Sequence, residues 1–233
     1  MNGTGDGHTQ SERIMLDVAT RRIKERILRP FLSLIPIFIH PTHLTFVGFC
    51  IGLLIPLCSA FAHPRFALTA WLANRLLDGL DGTLARQRQQ QTNWGGYLDI
   101  VCDFTIYSLI PIGIAYSRPE TSSASAWTAV AYLLASFHVN NVILFYLAAV
   151  LPPPSAAEIG EKEMTSLRLL PALVEGTESL AIFTVMIALP NWFLAVTCTM
   201  TTLVVVNVLQ RTWVAREAFA EEESGKILKT KTS

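Results

Sequence analysis

Apolar runs dominate the chain and are cut at intervals by clusters of Pro, Gly, Gln and charged residues. The cuts leave six apolar stretches, near residues 42–62, 66–87, 94–116, 125–150, 171–190 and 192–213. Each is close to the roughly 20 residues that carry a helix across a bilayer, and helices satisfy their own backbone polar groups there. The pattern predicts an all-α, polytopic membrane protein with six transmembrane helices. Ahead of the first stretch, residues 12–32 place Met15, Ala19, Ile23 and Ile27 at every fourth position, surrounded by Arg13, Arg21, Arg22, Lys24, Arg26 and Arg29. That spacing predicts an N-terminal amphipathic helix lying on the membrane surface against anionic head groups. The connections are short apart from PPPSAAEIGEKEMTSLR between the fourth and fifth stretches, and no internal repeat is visible. A single membrane domain over 12–213 is expected, with residues 1–11 a disordered N-terminus and residues 214–233 a cytosolic tail.

Composition supports the membrane assignment and narrows the partners. Of 233 residues, 51% are apolar and 15% charged, where soluble domains carry about 25% charged residues. Formal net charge is zero, so no global basic field exists and nucleic acid is not an expected partner. Cys50, Cys58, Cys102 and Cys198 fall singly in apolar runs, without metal-ligand spacing, and read as small apolar filler. MNGTGDGHTQS has no apolar core of a secretory signal. Charge then orients the spans. Fifteen of the eighteen Lys and Arg residues fall on one side if the N-terminus is cytosolic, against Arg65 and Arg118 on the other, with Arg75 inside the second span. The asymmetry predicts both termini in the cytosol.

One stretch breaks the apolar pattern: DGLDGTLARQRQQQTNWGGYLDIVCD, residues 78–103. At about 100° per residue, Asp78, Asp81, Gly82, Ala85 and Arg86 share an arc of roughly 140° on one helix. On the next, Gly95, Asp99 and Asp103 are each four apart and line one face. An antiparallel hairpin turning near Gln90 would pair Asp78 with Asp103 and Asp81 with Asp99 in depth, so that four carboxylates converge on the cytosolic side. Each acid costs roughly 2.5–3.5 kcal/mol at mid-membrane, and like charges add repulsion. Divalent cations are the economical neutraliser, since carboxylate oxygens suit Mg²⁺ or Mn²⁺ and four anions can hold two such ions. Gly79 and Gly82 would let a bulky ligand approach the backbone, and Arg86 offers a planar fork to phosphate. These parts suggest metal-assisted chemistry on a phosphate ester. A cation or proton pathway in a transporter, or aspartates simply paired with Arg75 and Arg86, are the alternatives that geometry leaves open.

In identity and spacing, Asp78, Asp81, Gly82, Ala85, Arg86, Gly95, Asp99 and Asp103 resemble the signature of the CDP-alcohol phosphotransferase family, D-x-x-D-G-x-x-A-R, eight residues, G-x-x-x-D-x-x-x-D, with no departure. The resemblance implies an integral membrane enzyme, commonly a homodimer, that uses Mg²⁺ or Mn²⁺ to react a CDP-linked substrate with an alcohol and release CMP. It implies Asp78, Asp81, Asp99 and Asp103 as metal ligands and Asp103 as the base for the acceptor hydroxyl. Gly79, Gly82, Ala85, Arg86 and Gly95 are implied around the nucleotide, with Arg86 on phosphate. The usual CDP-linked substrate of the family is CDP-diacylglycerol. A second branch transfers phosphocholine or phosphoethanolamine to diacylglycerol, but is typically longer, so phosphatidyl transfer to a head-group alcohol is the expectation here.

Acceptor-reading residues are less marked. Glu175 and Glu178 are spaced to share a helix face at the start of the fifth span, where they would hold a polyhydroxyl or cationic alcohol, or pair with Arg168. Lys162 and Arg168 suit an acceptor phosphate or a solvated loop equally. His138, Asn140 and Asn141 lie deep in the fourth span, where polar groups usually bond across helices. Arg75, one turn before Asp78, reads as charge balance. Trp71, Trp94, Tyr97 and Tyr107 read as interface or packing aromatics.

Overall fold

The computed structural model describes residues 32, 33, 35–117, 124–150 and 176–231. Among these the chain is all-helical, without a strand. The helices are α1 (Pro41–Ala60), α2 (Pro64–Gln87), α3 (Asn93–Tyr116), α4 (Ala124–Val150), α5 (Gly176–Ala188) and α6 (Phe193–Lys231), with a single 3₁₀ turn at Pro190–Trp192 before α6. The expected surface helix falls, apart from its last residue Leu32, outside the described residues, as do residues 1–11 and the connection carrying Lys162, Arg168 and Glu175.

Among the described residues, four helical segments are long and apolar enough to cross a membrane: Pro41–Ala60, Asn93–Tyr116, Ala124–Val150 and Pro190–Glu217. The second expected span is helical over 24 residues but is made polar by Arg65, Arg75, Asp78, Asp81 and Arg86. The fifth is described over only 13 residues. Residues 214–231, expected simply as a tail, continue α6 as helix to Lys231. Their richness in Ala, Glu and Lys favours that extension.

Both α1 and α2 end on a left-handed residue that is not glycine. Ala62 has φ 58° and Gln89 has φ 54°. The Ala62 N–H donates to Ser59 O and the His63 N–H to Cys58 O, each at 2.9 Å. At the end of α2 the Gln89 N–H donates to Arg86 O at 3.2 Å and the Gln90 N–H to Ala85 O at 2.8 Å. These paired bonds close the last turn and satisfy carbonyls that would otherwise be orphaned. The second of them reverses the chain, so that α3 starts six residues after α2 ends.

The residues fall into two compact units, one of residues up to Leu53 with Thr69–Thr105, the other of Leu54–Leu68 with the chain from Ile106 onward. In the first, Leu80 and Leu84 of α2 pack with Leu32, and Ile35 and Leu44 lie against them. Arg88, just past α2, donates to Ile39 O at 2.7 Å and Ile35 O at 2.8 Å, tying the segment before α1 to the α2 terminus. In the second, Ile106, Ile110 and Ile114 recur every fourth residue on α3 and are fully buried or nearly so. Phe183 of α5 stacks on Tyr107 of α3, with ring centroids 5.0 Å apart. Arg211 of α6, buried, donates to Asn140 Oδ1 of α4 at 2.8 Å.

In a membrane, helix association relies on close packing and interhelical hydrogen bonds rather than on water exclusion. Gly113 is the clearest case. A Cβ there would stand 2.4 Å from the Pro56 carbonyl oxygen and 2.7 Å from its Cα, so α1 and α3 meet backbone to backbone. Gly113→Ala is expected to cost about 1–3 kcal/mol through forced separation. A lowered thermal midpoint in detergent checks this, and an unchanged midpoint contradicts it. Gln89→Gly relieves left-handed strain and is expected to raise the same midpoint slightly, whereas Gln89→Val is expected to lower it.

Candidate active site

The α2–α3 hairpin sets the site. Asp81 and Asp99 approach each other across it, and one step further from the turn Arg75 meets Asp103. Paired positions thus move apart in sequence together, as two antiparallel helices require. Side-chain oxygens of Asp78, Asp81 and Asp99 all lie within 4.8 Å of one another. Asp81 is 6% exposed and accepts a 2.6 Å hydrogen bond from the Thr45 hydroxyl of α1. That hydroxyl also lies 3.3 Å from Pro41 O, but the shorter, charge-assisted contact to the carboxylate is the stronger one.

Asp103 is held differently. Arg75 donates Nη2 to Asp103 Oδ1 at 2.6 Å and Nη1 to Oδ2 at 3.2 Å, a two-pronged fork across the hairpin. Its Nη1 stands 3.9 Å from Asp78 Oδ2, so the same guanidinium sits between the two acids. Arg75 is itself fixed. Its Nε and Nη2 donate to Asn74 Oδ1 at 2.9 and 2.6 Å, and its guanidinium carbon lies 5.0 Å from the ring centroid of buried Trp71. Asn74, 3% exposed, donates in turn to Gly48 O of α1 at 2.9 Å. A connected run of contacts therefore leads from the α1 backbone through Asn74 and Arg75 to Asp103.

Of the expected nucleotide-side residues, Gly79, Gly82, Ala85 and Arg86 lie on α2 and Gly95 on α3. A Cβ added to Gly82 would meet only the tip of Arg86, at 3.5 Å, so no neighbouring backbone crowds that position. Arg86 Nη2 donates to the Thr83 hydroxyl at 3.4 Å, and that hydroxyl donates to Gly79 O at 2.6 Å. Ala85 is half-buried. Gly95 has a local reason for its size. Its N–H donates to Thr92 Oγ1 at 3.0 Å in the cap of α3, and a Cβ would press that oxygen at 3.2 Å. Of the acceptor candidates, Glu178 is exposed in the first turn of α5, while Glu175 and Arg168 lie outside the described residues.

Three carboxylates that close suit a hard divalent cation. Ligand oxygens at about 2.1 Å from one ion are roughly 3–4 Å apart, so small rotations of Asp78, Asp81 and Asp99 would complete such a set. The all-oxygen donors favour Mg²⁺ or Mn²⁺. Sequence patterns alone do not single out Thr45, Asn74 and Arg211 as partners. Arg211 carries a usable signal, because it lies within the expected sixth span and an intramembrane arginine needs a partner.

Comparison with known proteins shows the family of the chain. Residues 38–209 match the family model for CDP-alcohol phosphatidyltransferase. The chain is 37% identical over 156 residues to the inner membrane protein YnjF of Escherichia coli (strain K12), covering 66% of this chain and 72% of that one. It is 26% identical over 137 residues to the bifunctional IPC transferase and DIPP synthase of Archaeoglobus fulgidus, covering 59% of this chain but 26% of the relative. The solved Mycobacterium tuberculosis phosphatidylinositol phosphate synthase with CDP-DAG bound is similar in fold, with a TM-score of 0.55 at 20% identity over 82% of this chain and 92% of that one. The same enzyme in complex with manganese and citrate gives a TM-score of 0.54 at 20% identity, covering 81% and 87%. With the family model matched over most of its length, the chain belongs to the CDP-alcohol phosphatidyltransferase family.

Proposed function

We propose that this protein transfers a phosphatidyl group from CDP-diacylglycerol to a head-group alcohol and releases CMP, as a step of phospholipid synthesis. The observation that carries the proposal is the convergence of Asp78, Asp81 and Asp99 to within 4.8 Å beside a separately held Asp103. The fold likeness to a synthase solved with CDP-DAG, and to the same enzyme with manganese, supports it. In this reading the chain spans the membrane six times behind its surface helix, forms a homodimer, and keeps both termini and the site on the cytosolic side, as its positive-charge asymmetry favours.

Asp78, Asp81 and Asp99, with a share of Asp103, would hold two Mg²⁺ or Mn²⁺ ions, whose charge when bound offsets the negative diphosphate. Gly79, Gly82, Ala85 and Gly95 leave room for the cytidine nucleotide against the helices, and Arg86 orients a phosphate. Asp103 accepts the proton of the acceptor hydroxyl. The hydroxyl oxygen then bonds to the phosphorus that carries diacylglycerol, the phosphoanhydride bond to CMP breaks, and CMP leaves with the electron pair. Asp103 returns its proton to solvent. Positioning the acceptor and the diphosphate in line contributes more than the basicity of a carboxylate can.

Labelled CDP-diacylglycerol given to the purified protein with Mn²⁺ or Mg²⁺ and a panel of head-group alcohols is expected to yield CMP and one labelled phospholipid. Glycerol phosphate, inositol, inositol phosphate and serine belong in that panel. No CMP with any CDP-linked substrate or metal contradicts the proposal, and cation- or pH-driven solute flux in liposomes would replace it with a transporter. Asp103→Asn is expected to lower turnover about 100-fold or more while leaving the folded protein intact. Thr45→Val removes the hydroxyl that orients Asp81 and is expected to weaken Mn²⁺ binding about 10-fold by titration.

A further inference from the structure

Arg75 pairs with acids, as charge balance expects, and its contacts are also directional. Its two terminal nitrogens reach the two oxygens of Asp103 at 2.6 and 3.2 Å, a directional fork, while Nη1 stands farther, 3.9 Å, from Asp78. Its orientation is set from behind by Asn74, which is anchored on the α1 backbone, and from the side by the Trp71 ring. A planar fork fixed from two sides dictates where a carboxylate can lie. Asp78, Asp81 and Asp99 close to within 4.8 Å of one another beside this fork, with Asp78 at 3.9 Å from Arg75.

We propose that Arg75 is a positioning residue that limits how far Asp103 joins the ion-binding carboxylates, keeping it directed to the acceptor hydroxyl. The inference rests on the transferase reading above and assigns Arg75 a role within that same site. With both oxygens engaged by Arg75, Asp103 has fewer lone pairs to give an ion. Without the fork, Asp103 can rotate into the cluster of Asp78, Asp81 and Asp99, where a fourth anion strengthens cation binding and is lost to the acceptor. Arg75 therefore trades ion affinity for a correctly placed base.

The test is a double-mutant cycle read by Mn²⁺ binding to the full-length protein in detergent, with free Mn²⁺ followed by electron paramagnetic resonance. Arg75→Gln is expected to tighten Mn²⁺ binding about 10-fold, a size typical of changes in groups that orient metal ligands. Part of any gain is simple loss of a nearby positive charge. In the Asp103→Asn background only that part remains, so the same substitution is expected to have a clearly smaller effect. Turnover of CDP-diacylglycerol by Arg75→Gln is expected to fall at least about 10-fold with KM little changed, because the lost interaction serves the reacting geometry rather than substrate binding.

Arg75→Lys keeps the charge without the fork and carries the same cycle if the glutamine variant does not fold. It too is expected to tighten Mn²⁺ binding and to slow turnover. Equal effects of the Arg75 substitution with and without the Asp103 carboxylate overturn the inference, as does weaker Mn²⁺ binding alongside slower turnover. Wild-type protein that binds Mn²⁺ but releases no CMP contradicts the transferase reading instead, while the coupling between positions 75 and 103 still stands or falls by binding alone.

Discussion

Carboxylates brought close together in a largely apolar bundle need counter-charge, and the geometry around the α2–α3 hairpin follows from that constraint. Asp78, Asp81 and Asp99 meet within 4.8 Å, a separation at which anions repel strongly unless solvent or cations intervene. Arg75 is forked on the fourth acid, Asp103, and also stands 3.9 Å from Asp78. What is left is a cluster of oxygens matched to small divalent ions. On the proposed reading the site is divided between three acids suited to metal and Asp103, which Arg75 already holds.

The rest of the first unit serves to hold that division steady. Thr45 fixes Asp81 from α1 and Asn74 fixes Arg75 against the α1 backbone, so α1 supports both halves of the site without contributing an acid. The left-handed turn at Gln89 and the Thr92 cap keep the reversal between α2 and α3 short, which sets the register of the facing acids. Arg88 adds a tie from the end of α2 to the segment entering α1. In the second unit the same economy appears as the close approach of Gly113 to Pro56 and the buried Arg211–Asn140 bond. Polar groups in both units bond between helices, as the membrane demands.

Much of this is readable in the chain. Apolar runs interrupted by Pro, Gly and Gln locate α1, α2, α3 and α4 within two residues at each end, because a spanning helix must be both long and internally bonded. Helical periodicity by itself puts Asp78, Asp81, Gly82 and Arg86 on one face. It does not show which acid Arg75 chooses, since that choice depends on a partner 28 residues away across the hairpin. Nor does it show the turns at Ala62 and Gln89, which lack the usual glycine. Arg211 falls among the cytosolic cations when charge alone is counted, because charge gives no depth, whereas its burial against Asn140 is a property of two packed helices.

On the proposed reading, α2 and α3 jointly grip divalent ions through Asp78, Asp81 and Asp99. Anomalous diffraction from crystals grown with Mn²⁺ tests it most directly. Manganese peaks are expected at about 2 Å from oxygens of all three carboxylates, with Arg75 still forked on Asp103. Manganese bound elsewhere, or the three acids turned apart with no ion between them, would contradict it.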